Sequence, residues 1–214
     1  MDALAGMPDL VALLAGFGAF GFVLCALVER IVPVLPFYLM LVVLGMTSIA
    51  SGHDLAIAAI ACTMGSTLGS LGWYLIGRWL GAERGEALVA RFGRYVFFDL
   101  HQYRRLTASY MRDRFWITVV GQTIPAVRIY LAFPAGVLGL PPVGFAAATF
   151  LGALAWNTPL LALGYVLRGS AIDPVTAAIG TIAGLLALEF GLVAFLRIGR
   201  LFRRNRVAPA ERRT

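Results

Sequence analysis

The most constraining feature of the sequence is an apolar stretch, residues 116–142, that is interrupted by prolines and by a single charge. That charge is Arg128, and the nearest charged residues on either side are Arg114 and Arg168. A lone arginine at bilayer depth costs about 2.5–3.5 kcal/mol on insertion scales, so it usually faces a protein interior or a wet cavity. Pro125 removes a backbone donor and disfavours a helical residue before it, which predicts a break near residues 124–128. Broken backbone at membrane depth must be satisfied by protein or water. The stretch therefore predicts a re-entrant hairpin, residues 115–140, with Arg128 near its tip.

Composition places the chain among integral membrane proteins. Of its 214 residues, 60% are hydrophobic and only 14% are charged, and the mean hydropathy is +0.83. The net charge of +7 is typical of nucleic-acid-binding proteins, but here the arginines flank apolar runs, as the positive-inside rule predicts for a membrane protein. We therefore predict no nucleic-acid partner. Cys25 and Cys62 lie in apolar runs without metal-like spacing, so neither a metal site nor a disulfide is predicted.

A second proline-broken segment precedes the first full-length apolar run. Glu29 interrupts an apolar stretch, and Pro33 and Pro36 follow it. This repeats the pattern around Arg128 and predicts a second re-entrant hairpin, residues 17–50. The alternative is that this region forms two ordinary short helices.

The remaining chain divides into apolar spans and basic segments. The basic segments are expected on the cytoplasmic side. Two spans separate the second hairpin from the basic tail, so that hairpin must enter and leave on the cytoplasmic face. One span separates the first hairpin from the basic loop, so the first hairpin must enter from the opposite face, as in the inverted repeats of transporters. We predict an all-α integral membrane protein with three full transmembrane helices, two opposed re-entrant hairpins and an external N-terminus. The predicted parts outside the hairpins are an interfacial segment (1–16), transmembrane spans (55–77, 143–167, 175–196), an amphipathic cytoplasmic loop (78–114) and a basic cytoplasmic tail (198–214), with 17–197 forming one membrane domain.

The order and spacing of these motifs resemble the DedA family, also called the SNARE-associated or VTT-domain family. The resemblance covers roughly residues 17–168. It implies two opposed hairpins and the movement of lipids across the membrane; for bacterial members it implies the return of undecaprenyl phosphate across the inner membrane, often coupled to the proton gradient. The residues that carry it are Glu29 with Pro33 and Pro36; Gly69, Tyr74 and Gly77-Arg78; Ile124-Pro125 with Arg128; Pro134-Ala135-Gly136; and Phe150-Leu151-Gly152, Trp156-Asn157 and Gly164-Tyr165.

The sequence departs from the family pattern at several charged positions. Tyr38 and Ser70 stand where acids are usual, and Gln122 replaces the first arginine of the family's Arg-x-x-Pro-x-x-Arg. Glu29 and Arg128 are retained. The predicted function is therefore a DedA-type transporter of undecaprenyl phosphate or a related phospholipid. The alternative is a non-transporting homologue that scaffolds or regulates a membrane partner.

The retained charges are the main candidates for the site. Arg128 offers a forked guanidinium suited to a lipid phosphate; its alternative role is a structural cap on a broken helix. Glu29 is predicted at the opposing tip, where it could exchange a proton during transport. Alternatively, it is an interfacial acid paired with the adjacent Arg30.

Neutral polar residues complete the predicted site. Gln122 and Tyr38 can hydrogen-bond a phosphate, or they fill space. Asn157 is either a substrate ligand or a partner of a neighbouring helix.

Glu189 either reaches the cytoplasmic interface or faces the helix bundle. The predicted structural breaks are Pro33, Pro36, Pro125 and Pro134.

No catalytic motif is apparent. Ser51-Gly52-His53 resembles one motif of membrane lipid phosphatases, but the chain has no lysine for their first motif, and the only other histidine, His101, falls in the predicted surface loop. We predict neither an enzyme nor a cofactor, apart from possible proton coupling. Pairs of glycines four residues apart indicate a possible homodimer.

Overall fold

The computed structural model describes residues 16–31, 37–93, 100–128 and 130–170, with scattered positions between 176 and 187. Within these ranges the regular structure is helical. The third predicted span, 175–196, lies largely outside the described residues, and so do Pro33, Pro36, Glu189, the segment 1–15 and the tail. The helices are α1 (Ala19–Ile31), α2 (Phe37–Thr47), α3 (Gly52–Phe92), α4 (Leu100–Arg112), α5 (Arg114–Gln122), α6 (Pro125–Arg128), α7 (Ala132–Val137) and α8 (Pro142–Leu167).

Two of these helices, α3 and α8, are long and apolar enough to cross a membrane by length and composition. They contain the predicted spans 55–77 and 143–167. Their outward faces carry large apolar side chains, such as Leu75 on α3 and Val143 on α8, which are 59% and 80% exposed. Such a surface is costly in water and suits lipid.

Helix α3 has a defined start and an internal kink. The side chain of Ser51 accepts a hydrogen bond from the backbone N–H of Asp54, and the Asp54 carboxylate accepts one from the N–H of Ser51, which is a capping box. The helix continues past the predicted end of the span at residue 77 and reaches Phe92. Gly81 alone departs from helical geometry, with φ 72°, a conformation that favours glycine. The predicted cytoplasmic loop therefore begins as an extension of α3.

The helices of the two proline-broken segments are short. Helices α1, α2, α5 and α7 contain 13, 11, 9 and 6 residues, whereas a transmembrane helix needs about 20. Helix α5 ends at Gln122, and a new turn of helix, α6, begins at Pro125. Pro134 lies in the first turn of α7, where a missing backbone N–H costs little because that group has no partner within the helix.

The short helices pack on the long ones in an equivalent way in the two halves of the chain. In the first half, α1 packs on α3 and α2 packs on α8; in the second, α5 packs on α8 and α7 packs on α3. The first half is α1 to α3, and the second half is α5 to α8. In each half the first short helix (α1 or α5) packs on the long helix of the same half, and a later short helix (α2 or α7) packs on the long helix of the other half. Glycines let the backbones approach in both contacts. Gly45 of α2 meets Gly164 of α8, whereas Gly136 of α7 lies against the backbone of Tyr74, and Gly77 of α3 lies against the backbone of Phe133.

The connection from α7 to α8 is held by a buried tyrosine of α3. The ring of Tyr74 stacks on that of Phe145, with 5.0 Å between centroids. Its hydroxyl donates a hydrogen bond to the carbonyl of Leu140, and Arg78 donates to the same hydroxyl at 2.9 Å. These contacts fix the end of the second broken segment to α3.

Helix α4 lies beside the extension of α3. Arg104 forms an exposed ion pair with Glu86 at 2.6 Å, while Tyr103 and Tyr110 point inward and are buried. Burial raises the pKa of Tyr103, so this phenol stays neutral through the physiological range. An inward aromatic face and an exposed basic face are consistent with the amphipathic helix predicted here.

Candidate functional site

A buried ion pair joins the two proline-broken segments. A guanidinium nitrogen of Arg128 lies 3.8 Å from a carboxylate oxygen of Glu29, and the two side chains are 2% and 10% exposed. Glu29 is in the last turn of α1, and Arg128 ends α6. The separation is within ion-pair range but beyond hydrogen-bond length. The structure thus brings together the two predicted charges, and Glu29 pairs with Arg128 rather than with its neighbour Arg30.

A second buried guanidinium belongs to the same cluster. Arg30 donates from Nη2 to the side-chain oxygen Oε1 of Gln122 at 2.7 Å, and from Nη1 to the backbone carbonyl of Arg128 at 3.3 Å. Only 6% of Arg30 is exposed. From the sequence, Arg30 was expected only as an interfacial partner of Glu29, so its place in this cluster was not predicted. The available signal was a second charge in the same apolar run, just before Pro33.

Helix α3 shapes the space that Arg30 occupies. A Cβ atom added to Gly69 would lie 2.6 Å from the Cβ of Arg30, so any side chain there would displace the arginine. One turn further along, the indole Nε1 of Trp73 donates to the backbone carbonyl of Arg30 at 3.1 Å. Carbonyls in the last turn of a helix lack partners within it. Trp73 therefore caps the end of α1 and positions Arg30.

Helix α8 supports Gln122 and Arg128 in a similar way. A Cβ atom at Gly152 would lie 2.6 Å from the Cβ of Gln122 and 2.6 Å from the backbone carbonyl of Val119, so this glycine lets the end of α5 pack closely on α8. The guanidinium carbon of Arg128 lies 5.7 Å from the ring centroid of Trp156, which is the geometry of a cation–π contact. Gln122 was predicted in the site, whereas Trp156 entered the sequence analysis only as a mark of family resemblance.

The structure places the other predicted residues outside this network or leaves them undescribed. Asn157 donates to the hydroxyl of Thr63 on α3 at 3.4 Å, so its contact is with a neighbouring helix. Tyr38 lies on α2, but its side chain is not among those described. The hydroxyl of Ser70 donates back to the carbonyl of Ser66 on the same helix.

Some buried polar atoms are available to a ligand or water, and one of them, the amide nitrogen of Gln122, belongs to the network. Within the described residues, the amide nitrogen of Gln122 and the hydroxyl of Thr149 have no hydrogen-bond partner. Buried polar groups are usually satisfied, so these atoms are candidates for contact with water or substrate. No three His, Cys, Asp or Glu side chains in the described part of the chain are grouped to hold a metal ion.

Comparison with known proteins gives the family. The VTT domain matches residues 35–166, more than half of the chain. A Lactococcus lactis protein named alkaline phosphatase-like is 27% identical over 92% of this chain and 91% of its own length. Undecaprenyl phosphate transporter A of Staphylococcus aureus is 27% identical over 72% of this chain and 76% of its own. The Bacillus subtilis transporter of the same name is 27% identical over 58% and 60%.

No solved structure matches the chain. The family assignment therefore rests on the VTT-domain match, and the apolar helices α3 and α8 agree with it. The chain belongs to the VTT-domain, or DedA, family and is a membrane protein of the bacterial cell membrane.

Proposed function

We propose that the protein transports a polyprenyl phosphate, with undecaprenyl phosphate as the first candidate, and that a buried site containing Glu29, Gln122 and Arg128 binds the phosphate group. Membership of the VTT-domain family and similarity to undecaprenyl phosphate transporters support lipid transport in general. The observation that carries the site assignment is the buried Glu29–Arg128 ion pair between the two broken segments.

The chemistry of the cluster suits a phosphate. A guanidinium presents a planar fork of N–H donors that matches phosphate oxygens, and the bonds are strong because both partners are charged. Burying ions is costly, and a buried ion pair is often no more stabilising than apolar residues of similar volume. A buried cluster with two arginines therefore favours a binding role over a purely structural one.

The arrangement of short helices supports two re-entrant hairpins. Helices α1 and α2, and the segment from α5 to α7, consist of pieces that are each too short to cross the bilayer. Because the two halves pack equivalently, hairpins that enter from opposite faces would meet at the Glu29–Arg128 contact. In this proposal the N-terminus is external, the α3 extension and α4 are cytoplasmic, and the site lies near the midplane.

Glu29 is the proposed point of proton coupling. Among the described residues it is the acid in contact with Arg128. Protonation of Glu29 would remove the negative charge that competes with the lipid phosphate for Arg128. Deprotonation would restore the ion pair and help to release the lipid. The proposal includes no covalent chemistry, in keeping with the transporter names of two relatives.

A second candidate function is a scaffold or regulator that does not transport. Gln122 stands where the family usually has an arginine, and its oxygen accepts from Arg30, while Glu29 pairs with Arg128. These polar groups stabilise one another without a ligand, which is what a static role requires.

Reconstitution into liposomes separates these functions. Undecaprenyl phosphate is placed in the membrane, and an impermeant phosphatase added outside reports which phosphate groups are accessible over time. Transport predicts complete hydrolysis at a rate set by the amount of protein, whereas empty liposomes stop at the outer-leaflet fraction. Hydrolysis that stops at the same fraction with folded protein present, with and without a pH gradient, would reject transport of this lipid and favour the scaffold.

A further inference from the structure

We infer that Arg30 supplies the second phosphate-binding guanidinium of the site, in the place of an arginine at position 122. This inference rests on the proposed function and assigns it a residue that sequence reasoning did not. The ligand is a phosphate monoester group carried by a lipid.

Arg30 and Gln122 occupy corresponding positions in the two halves. Each lies near the end of the first short helix of its half, α1 or α5. Each also lies against a glycine of the long helix that follows, Gly69 or Gly152, with 2.6 Å from an added Cβ to the Cβ of the polar residue in both cases. The two side chains meet across the contact between the halves, where Arg30 donates to Gln122. An arginine on either side of this contact would therefore place a guanidinium in the same space.

The contacts of Arg30 place it beside Arg128 in the buried interior of the protein. One guanidinium nitrogen bonds the backbone carbonyl of Arg128 and the other bonds the Gln122 amide. That amide oxygen is a neutral acceptor. A phosphate oxygen is a charged and stronger one, so a bound phosphate can replace Gln122 as the partner of Nη2. Gln122 then acts as a positioning residue that holds the guanidinium when no lipid is bound.

The test exchanges the two residues. The variants are Arg30→Gln and the double variant Arg30→Gln/Gln122→Arg, with Arg84→Gln as the matched control, because Arg84 is exposed on α3. Each protein is reconstituted, and the initial rate of undecaprenyl phosphate transport is measured against lipid content, together with the thermal unfolding midpoint. Loss of one charged phosphate contact should raise the half-saturating lipid content of Arg30→Gln by about tenfold or more. The double variant should return to within about threefold of wild type, and Arg84→Gln should be unchanged.

Several results would overturn the inference. If folded Arg30→Gln had the same half-saturating lipid content as wild type, Arg30 would not contact the phosphate. The inference would also be overturned if Arg30→Gln had a lower unfolding midpoint and a lower maximal rate but an unchanged half-saturating lipid content. That combination indicates a purely structural role. If Arg30→Gln does not fold, the double variant decides: folded protein without transport contradicts the inference, and folded protein with transport supports it. Absence of transport by wild type would instead reject the proposed function itself.

A further arm distinguishes lipid-borne from free phosphate. Wild-type protein in detergent is heated with undecaprenyl phosphate or with inorganic phosphate. The inference predicts a higher unfolding midpoint with micromolar lipid, and a smaller rise in Arg30→Gln than in Arg84→Gln. Equal stabilisation of wild type by inorganic phosphate at the same concentration would contradict a lipid site.

Discussion

Arg128 and Glu29 face each other across 3.8 Å in the buried interior, although one ends the short helix α6 and the other lies near the end of α1. Each segment alone would leave one charge in apolar surroundings. The two charges have opposite signs and compensate each other when the segments meet. The contact links the two halves of the molecule at the point where both are interrupted. A substrate that enters there must compete with this ion pair.

The carboxylate of Glu29 is expected to carry the response to a proton gradient. Glu29→Gln keeps the size and removes the titrating group, so transport should continue but lose its dependence on a pH gradient. Lipid binding, measured by thermal stabilisation, should persist. If binding and transport instead fall together, Glu29 serves to position Arg128 and proton coupling at this residue is excluded.

Truncation of the Glu29 side chain tests the energetics of the pair. Glu29→Gln and Glu29→Ala both remove the counter-ion of Arg128, and breaking a buried pair typically costs about 3–5 kcal/mol. The amide oxygen of glutamine can still accept a hydrogen bond from the guanidinium, whereas alanine cannot. The unfolding midpoint should drop strongly, and more than in Glu29→Gln. An unchanged midpoint in Glu29→Ala would indicate that water or lipid already solvates Arg128.

Gly69 should tolerate no side chain, in contrast to a glycine one turn away. In Gly69→Ala the new methyl meets the Cβ of Arg30, and we expect lower stability and slower transport. Gly72→Ala is the control, because an added Cβ there meets nothing within 4 Å, and alanine favours the helix by about 0.8–1 kcal/mol. Equal behaviour of the two variants in unfolding and transport assays would contradict the packing of Arg30 on α3.

The indole of Trp73 should matter through its hydrogen bond to the end of α1. Trp73→Phe removes the bond to the Arg30 carbonyl and should destabilise the protein by about 1 kcal/mol. Trp79→Phe is the matched control on the same helix, since Trp79 is 81% exposed. A chemical unfolding series in detergent compares them, and a Trp73→Phe variant as stable as the control would count against the cap.

The sequence indicated some of this site and not the rest, for physical reasons. The lone charge of Arg128 and the proline after Ile124 identify a broken segment because both are local properties. Arg30 was missed because adjacency in sequence made it an obvious partner for Glu29. In a helix, however, consecutive side chains point about 100° apart. Only tertiary packing decides that Glu29 reaches Arg128 while Arg30 reaches Gln122.

The same limit applies to the neutral residues and to the fold. Asn157 is next to Trp156 in sequence, but its amide bonds Thr63 on α3 while Trp156 faces Arg128. Gly69 and Gly152 were recognised as part of a family pattern, yet their role in making room for Arg30 and Gln122 depends on which helices meet. The apolar runs were sufficient to predict α3 and α8, because length and hydropathy alone define them.

Membrane orientation is open to a direct check. In a cysteine-free background, single cysteines at Ser51 and Ser170 should react with an impermeant thiol reagent from outside intact cells. Cysteines at Arg84 and His101 should react only after the membrane is opened. External labelling at position 84 or 101 would contradict the proposed entry of the hairpins from opposite faces.

The most direct test of lipid transport through this site compares wild type with Arg128→Ala and Arg128→Lys in the liposome phosphatase assay, at matched amounts of folded protein. The proposal predicts that Arg128→Ala transports undecaprenyl phosphate at least about tenfold more slowly, because a charged contact to the phosphate is lost. Arg128→Lys should also be impaired, since an ammonium cannot reproduce the forked contact. Equal transport by wild type and Arg128→Ala would contradict the proposal that the lipid phosphate passes through the Glu29–Arg128 site.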